Sequence, residues 1–354
     1  MTFTLRVDGQ RWRHHLRTTA DAHPGLVPVI KGNGYGFGNA SLARRADWLG
    51  VGTIAVGTYA EVPDVLSRFS GDVMVLTPWR AFEVDADAQQ AVYDPRVIHT
   101  IGRVGDLVAL GDAAPDGTRV LLEGITSMAR HGFDRHALAD ATAALGRLRP
   151  VGFAVHLPMA GGRLEEAERW AAALEASKLA GRLEAPIQLF VSHLSDQELA
   201  TLRERRPGLT IRPRIGTSLW LGDRGALSVR SRVLDVHPVE RGERIGYRQR
   251  PMPIAGSLVI VSGGTAHGVG LEAPTAASSM RQRATSLAKG GLEAAGLALS
   301  PFTISGKQRW FAEPPHMQAS MLLLPRSVSV PPVGDQIDVA TRFTTSTFDN
   351  VVLD

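Results

Sequence analysis

Lys31 is the residue with the clearest capacity for covalent chemistry. It is one of four lysines in 354 residues, and it lies between the apolar run Leu26–Ile30 and the segment Gly32–Gly38, which contains four glycines. Glycine lets a backbone approach a ligand closely. A lysine that emerges from an apolar strand is partly desolvated, which lowers its pKa and favours the neutral amine that forms Schiff bases. The alternative interpretation is a lysine that extends from a strand end into water.

Other polar side chains follow or end later apolar runs in the same way. They are Arg130, His156, Ser195 and Arg214. If the runs are parallel strands of a barrel, their carboxyl ends meet at one mouth. We therefore expect these side chains and Lys31 to surround one site.

The elements that position these residues alternate along the first two-thirds of the chain. Eight short apolar runs are strand candidates: Leu26–Ile30, Thr53–Gly57, Val73–Leu76, Val97–Ile101, Val120–Glu123, Val151–His156, Ile187–Val191 and Leu209–Arg214. Between them lie stretches of helical period: Asn39–Leu49, Ala60–Phe69, Arg135–Leu148, Leu164–Ala180 and Asp196–Arg205. Runs this short and continuous are typical of strands buried on both faces of a parallel sheet. Eight such units over about 200 residues favour an α/β fold with a closed (β/α)8, TIM-like barrel. An open doubly wound sheet, the rival, would have fewer units and a glycine-rich phosphate turn after its first strand.

Beyond Gly225 the pattern becomes β-like, with frequent Val, Ile and Thr and with Gly and Pro at the turns. The β-like segments are Ser228–Val236, Arg244–Met252, Gly256–Ser262, Phe302–Phe311, Met317–Leu324 and Gln336–Phe343. We therefore predict a barrel over residues 1–225 and a mainly β domain over residues 226–354. A helical insertion is expected near 276–295, and residues 1–10 are candidates to pair with the β domain.

Composition excludes several classes of protein. The net charge is only +4 and acidic residues are interspersed with basic ones, so no nucleic-acid partner is expected. The chain has no cysteine, which excludes disulfides and thiolate metal sites. No apolar run approaches the roughly 20 residues that span a bilayer, and no secretory signal opens the sequence. A cytoplasmic protein without membrane contact is expected.

The Lys31 segment also carries a family resemblance. Val27–Gly38, which reads VPVIKGNGYGFG, resembles the pyridoxal-phosphate segment of the alanine racemase family. Five later landmarks are similar to that family in the same order: Thr126–Gly132, Gly152–His156, Arg214–Gly216, Gly246–Tyr247 and Val333–Asp335.

The resemblance implies a barrel followed by a β domain, pyridoxal 5'-phosphate as the cofactor, and racemisation of alanine or another small amino acid by a homodimer with shared active sites. Lys31 would hold the cofactor and act as acid and base on one face of the substrate Cα, and Tyr247 of the partner subunit would act on the other. The remaining roles implied are Tyr35 and Ser195 (or Ser192) near the phosphate, Arg214 at the pyridine nitrogen, His156 beside Arg214, and Arg130 and Met317 at the substrate.

The sequence departs from the family pattern at several places. Glu123 stands seven residues before Arg130, where the family often has a lysine that carries a carbamate, and we predict that Glu123 and Arg130 form an ion pair. Gly264–Gly268 lacks the aromatic and the acid of the matching family segment, and Phe348 stands where the family's tail carries a tyrosine.

Three alternatives therefore remain open. The first, a basic amino-acid decarboxylase, would place a cysteine in the partner's site, and this chain has none. The second, a D-threonine aldolase or D-serine dehydratase, would need a metal cluster, for which His267 and His316 lack a convincing ligand spacing. The third is a protein that binds pyridoxal phosphate without racemising amino acids, in cofactor handling or as a cell-wall accessory, which the altered β-domain motifs favour.

Overall fold

A computed structural model describes residues 2–83, 93–271 and 298–354. Its contacts divide the chain into two units. The barrel unit is His14–Gly222, and the β unit combines Met1–Arg13 with Asp223–Asp354. The predicted helical insertion at 276–295 lies outside the described residues.

The barrel unit contains a closed parallel barrel in which each strand pairs with its neighbours in chain order. Its strands are β2 (Val27–Ile30), β3 (Thr53–Val56), β4 (Asp72–Val75), β5 (Val97–Ile101), β6 (Arg119–Gly124), β7 (Arg149–Val155), β8 (Ile187–Val191) and β9 (Leu209–Ile215). Each predicted run overlaps one of these strands, and the predicted fold class is confirmed. Pairing of β2 with β9 closes the ring.

Helices connect the strands, as the three- to four-residue spacing of apolar side chains predicts. They are α2 (Asn39–Leu49), α3 (Val62–Leu66), α4 (Val104–Ala113), α5 (Leu138–Ala144), α6 (Arg163–Ala176), α7 (Asp196–Arg205) and α8 (Thr217–Leu221), after an N-terminal α1 (Gly9–Ala22). The helices that follow β2 and β8, α2 and α7, have the bounds that the sequence predicts.

The barrel interior is filled by side chains from alternate positions of the strands. One buried cluster contains Val27, Val29, Ala55, Met74, Ile98, Leu121, Ala154 and Phe190. Because side chains of a strand alternate between its two faces, Glu123 lies on the same inward face as Leu121. Its carboxyl group is therefore directed toward the end of a closely packed interior.

The β unit is built on one sheet with the strand order β13-β16-β15-β14-β17-β10-β1-β18, beside a short β11–β12 pair. Its strands are β1 (Phe3–Val7), β10 (Leu227–Val239), β11 (Arg244–Ile245), β12 (Arg250–Pro251), β13 (Gly256–Ser262), β14 (Leu299–Ile304), β15 (Lys307–Phe311), β16 (Ala319–Pro325), β17 (Gln336–Val339) and β18 (Asn350–Leu353). The segment Phe302–Phe311, which reads as one strand, is split between β14 and β15 by a turn at Ser305 and Gly306, both with positive φ.

The N-terminal strand β1 lies inside this sheet. It pairs antiparallel with β10 and parallel with β18. Among the helices of the described ranges, none is both long enough and apolar enough to cross a membrane.

Candidate active site

The carboxyl ends of the barrel strands surround a cavity of about 260 Å³. Five of the residues singled out in the sequence line it: Lys31, Glu123, Arg130, His156 and Arg214. They come from the ends of β2, β6, β7 and β9 or from the loops that follow. Strand ends that are far apart in sequence thus bring an amine, a carboxyl, an imidazole and two guanidinium groups together.

Lys31 lies directly after β2 and borders this cavity. Burial lowers the pKa of its amine, Arg130 and Arg214 lower it further, and Glu61 opposes them. A lowered pKa leaves more of the amine neutral near pH 7, and the neutral amine is the form that attacks a carbonyl carbon. The local environment therefore favours nucleophilic chemistry at Lys31 Nζ.

Glu61 holds the Lys31 loop against the loop that follows β3. Its Oε1 accepts a hydrogen bond from Gly32 N at 2.7 Å, and its Oε2 accepts one from Gly57 N at 2.6 Å. Sequence reasoning missed this residue, although the pattern Thr58-x-x-Glu61 is a capping-box signal. The carboxylate fixes the backbone on which Lys31 is carried.

Arg214 is almost completely buried, with 6% of its surface exposed. Its Nη2 donates to the Val155 carbonyl at 3.0 Å and lies 3.7 Å from Glu123 Oε1. The predicted Glu123–Arg130 ion pair is therefore corrected: among the described residues, the ion pair of Glu123 is made with Arg214. The physical reason is the barrel geometry, because the inward side chains of β6 and β9 meet across the interior. Arg130 lies on an exposed loop beyond β6 and acts on Glu123 only through its charge.

His156 follows β7 and is neutral in this environment. Burial and the nearby cations, Arg214 first among them, lower its pKa to about 3. Its Nδ1 pairs with Ser192 Oγ at 3.0 Å, and its ring meets the edge of His193 at a centroid distance of 5.2 Å. Arg214 is oriented by its hydrogen bond to the Val155 carbonyl and by its ion pair with Glu123, whereas His156 is oriented by Ser192. His193 was not singled out in the sequence.

Tyr35 is buried where the Lys31 loop meets the chain that leaves β9. Burial raises the pKa of its phenol to about 12, and Thr217 opposes this shift. A Cβ atom added to Gly216 would lie 2.2 Å from Tyr35 Oη. The absence of a side chain at Gly216 is what allows the phenol to reach this position, and neither Gly216 nor Thr217 was assigned this part from the sequence.

Replacing Gly216 with alanine should therefore displace Tyr35. We expect the free energy of unfolding to fall by about 1–3 kcal/mol, as for other overpacked sites, measured by urea denaturation. The matched control is Gly105→Ala in α4, where the added Cβ meets nothing within 4 Å. That control should be neutral or slightly stabilising, because alanine favours helix. Equal effects of the two substitutions would contradict the assignment.

Ser195 has a structural part at the start of α7. Its Oγ donates to Glu198 Oε2 at 2.7 Å and accepts from Glu198 N at 3.3 Å. The alternative, Ser192, is buried, contacts His156 and accepts from Leu157 N at 3.2 Å. The hydroxyl group of Ser195 thus already donates its hydrogen bond to Glu198, in the cap of α7.

Tyr247 and Met317 belong to the β unit, where they line a second, open cavity of about 780 Å³. Both are exposed, by 87% and 73%. Tyr247 N donates to Glu313 Oε2 at 3.0 Å, and the Tyr247 ring lies 4.8 Å from the ring of His316. His316 Nε2 pairs with Glu313 Oε1 at 2.6 Å. The buried Glu313 carboxylate therefore holds both Tyr247 and His316.

Gly246 is required beside Tyr247 for two reasons. Its φ is +71°, a conformation that favours glycine. A Cβ at this position would also lie 2.1 Å from Glu313 Oε2. Glycine at position 246 therefore allows the backbone conformation that places the Tyr247 side chain on the surface of the β unit.

The departures near His267 and Phe348 are accommodated within the β unit. His267 is buried and its Nε2 pairs with Asp349 Oδ1 at 3.1 Å. Phe348 stacks on Phe3 of β1 at 5.6 Å. Both residues therefore contribute to packing around β1.

Comparison with known proteins identifies the family. The sequence model of a family described as "Alanine racemase, N-terminal domain" matches residues 7–215. The chain belongs to the alanine racemase family. The resemblance seen around Lys31 is thereby confirmed at the level of the family.

Three known proteins illustrate the similarity at sequence identities of 16–30%. An alanine racemase of Nitratidesulfovibrio vulgaris is 30% identical over 243 residues, which span 62% of this chain and 62% of that protein's length. The crystal structure of alanine racemase from E. faecalis has a TM-score of 0.68 at 19% identity, covering 96% of this chain and 88% of that one. The structure of alanine racemase from Bartonella henselae, which has covalently bound pyridoxal phosphate, has a TM-score of 0.64 at 16% identity, covering 96% and 91%.

Proposed function

We propose that this protein is a pyridoxal-phosphate-dependent amino-acid racemase that acts on alanine or another small amino acid. The observation that carries the proposal is the position of Lys31, whose amine has a lowered pKa, in one cavity with Arg130, His156 and Arg214. The family supports the same reaction, since its curated members include alanine racemases.

The residues of the cavity fit the cofactor. Arg214 Nε is buried and has no hydrogen-bond partner among the described residues, and a pyridine nitrogen would be an acceptor for it. Lys31 would hold the aldehyde carbon, and Arg130 would favour the anionic groups of the cofactor and the substrate. Tyr35 is the residue proposed nearest the phosphate.

When bound, the cofactor supplies an electron-withdrawing ring that acidifies the Cα proton of the attached amino acid. Arg214 stays protonated at physiological pH and gives no proton to the acceptor that it binds. His156 adds no positive charge, because its pKa is about 3. Lys31 Nζ takes the Cα proton from one face or returns it there.

Racemisation by a two-base mechanism needs a second acid and base on the opposite face of the Cα. We assign this part to the Tyr247 hydroxyl of the partner subunit in a homodimer. The support is the exposure of Tyr247 and of Met317 on the β unit, since exposed large apolar side chains grouped around a cavity are typical of interaction surfaces. Met317 is proposed to contact the substrate.

The experiment that tests the function uses the purified protein with pyridoxal phosphate. We expect a visible absorbance band that free pyridoxal phosphate lacks. In heavy water, L-alanine should yield D-alanine with deuterium at Cα, detected by chiral chromatography and mass spectrometry.

Two other outcomes would contradict the proposal in different ways. Cofactor attachment without exchange from any of a panel of small amino acids would favour the non-racemising binding protein. The absence of any change in the cofactor's absorbance would overturn both the cofactor and the reaction.

A further inference from the structure

Glu123 is the residue of the barrel cavity whose environment is least explained by the two-base reaction. It is 3% exposed, and its Oε1 lies 3.7 Å from Arg214 Nη2. Its second oxygen, Oε2, is buried and has no hydrogen-bond partner among the described residues. Arg214 Nε is in the same condition, and both residues line the cavity that contains Lys31. Two residues that line the same cavity thus each carry a buried polar atom that is unsatisfied among the described residues.

The charges around Glu123 come from several strands and loops. The titratable groups that line the cavity with it are Lys31, Glu61, Arg130, His131, His156 and Arg214. Burial raises the pKa of the Glu123 carboxyl, while Arg214 and Arg130 lower it less strongly. In the free protein, Glu123 is therefore easier to protonate than an ordinary glutamate.

An anion bound in this cavity would raise the pKa of the Glu123 carboxyl, as burial does. A phosphate ester or a phenolate brings negative charge close to Glu123, which disfavours the ionised carboxylate. In general, a unit negative charge about 8–10 Å from a carboxyl group raises its proton affinity by roughly tenfold or more at an effective dielectric constant of about 20. Ligand binding and protonation of Glu123 are therefore coupled.

We propose that Glu123 takes up one proton from solvent when pyridoxal phosphate binds, so that its carboxyl group carries no negative charge in the complex. The proton forms the O–H bond at Oε2, while Oε1 continues to hold Arg214. Glu123 is thus a positioning residue that adapts the wall of the cavity to the charge of its ligand. The inference rests on the proposed cofactor, and it does not depend on which amino acid is the substrate.

The test is the pH dependence of pyridoxal phosphate binding by the wild type, Glu123→Gln and Glu168→Gln. Glu168 is a matched control, because it also loses one negative charge but pairs with Arg205 on helices outside the strands. Over the pH range in which Glu123 is ionised in the free protein and protonated in the complex, binding takes up a proton, so the wild-type Kd rises as the pH rises. This rise should exceed that of Glu123→Gln by up to about tenfold per pH unit. Glu168→Gln should follow the wild type. Titration calorimetry in two buffers of different ionisation enthalpy should show that the wild type takes up more protons than Glu123→Gln.

A second measurement needs no variant. Infrared difference spectra of the wild type should gain the carbonyl stretch of a buried, protonated carboxyl group when pyridoxal phosphate is added. The absence of this band, or equal proton uptake by the wild type and Glu123→Gln, would overturn the inference and leave the proposed function intact. Failure of the wild type to bind pyridoxal phosphate would instead overturn the proposed function, and the inference with it.

Discussion

Lys31→Ala is expected to abolish both covalent attachment of pyridoxal phosphate and exchange of the Cα proton of alanine. The substitution removes the amine that holds the cofactor and the acid and base on one face of the substrate. Loss of the proton transfer alone should lower racemisation by roughly 10²- to 10⁴-fold. Borohydride treatment followed by peptide mass spectrometry measures attachment, and deuterium incorporation from heavy water measures exchange.

Lys178→Ala is the matched control for this experiment. Lys178 is exposed on the outside of the barrel unit, between α6 and β8. The Lys178→Ala variant should retain the cofactor adduct on the peptide that contains Lys31, and it should exchange the Cα proton of alanine as fast as the wild type. An adduct on another lysine, or activity retained by Lys31→Ala, would mean that the cavity at the carboxyl ends of the strands has a different function.

The barrel could be predicted because its strands carry their own signal. Short runs such as Val27–Ile30 are apolar at every position, as is typical of strands buried on both faces. Capping signals such as Ser195-x-x-Glu198 likewise mark where α7 begins. The pairing of β18 with β1 could not be predicted in this way, because it joins residues more than 340 positions apart and depends on the whole sheet.

At the candidate site too, the sequence predicts features of single segments but not the contacts between distant segments. The position of Lys31 directly after a buried strand is visible in the sequence, and so is the inward face of Glu123. The cation that pairs with Glu123 is not visible in the sequence, because the pairing depends on the size and closure of the barrel. Three strand pairings, β6–β7, β7–β8 and β8–β9, separate Glu123 from Arg214 around the ring. A spacing of seven residues pointed to Arg130, whereas the closed interior brings Glu123 to Arg214.

Tyr247→Phe is expected to leave cofactor attachment unchanged and to lower racemisation by roughly 10²- to 10⁴-fold, the usual contribution of a positioned acid or base. The substitution removes only the hydroxyl, because the bond from residue 247 N to Glu313 and the ring contact with His316 do not involve it. Exchange of the Cα proton should persist for the enantiomer that faces Lys31 and be lost for the other. Tyr93→Phe, at another exposed tyrosine, is the control and should behave as the wild type.

Mixing the two inactive variants tests whether the second base comes from the partner subunit. In a dimer of Lys31→Ala with Tyr247→Phe, a shared site combines the intact Lys31 of one chain with the intact Tyr247 of the other. One of the two sites in each mixed dimer then regains both groups, and random pairing restores about a quarter of the wild-type activity. If Lys31 and Tyr247 act within one chain, each site of the mixed dimer lacks one group and no activity returns. Restored activity would thus locate the second base on the partner, while an inactive mixture of confirmed mixed dimers would place it within the same chain or remove Tyr247 from the reaction.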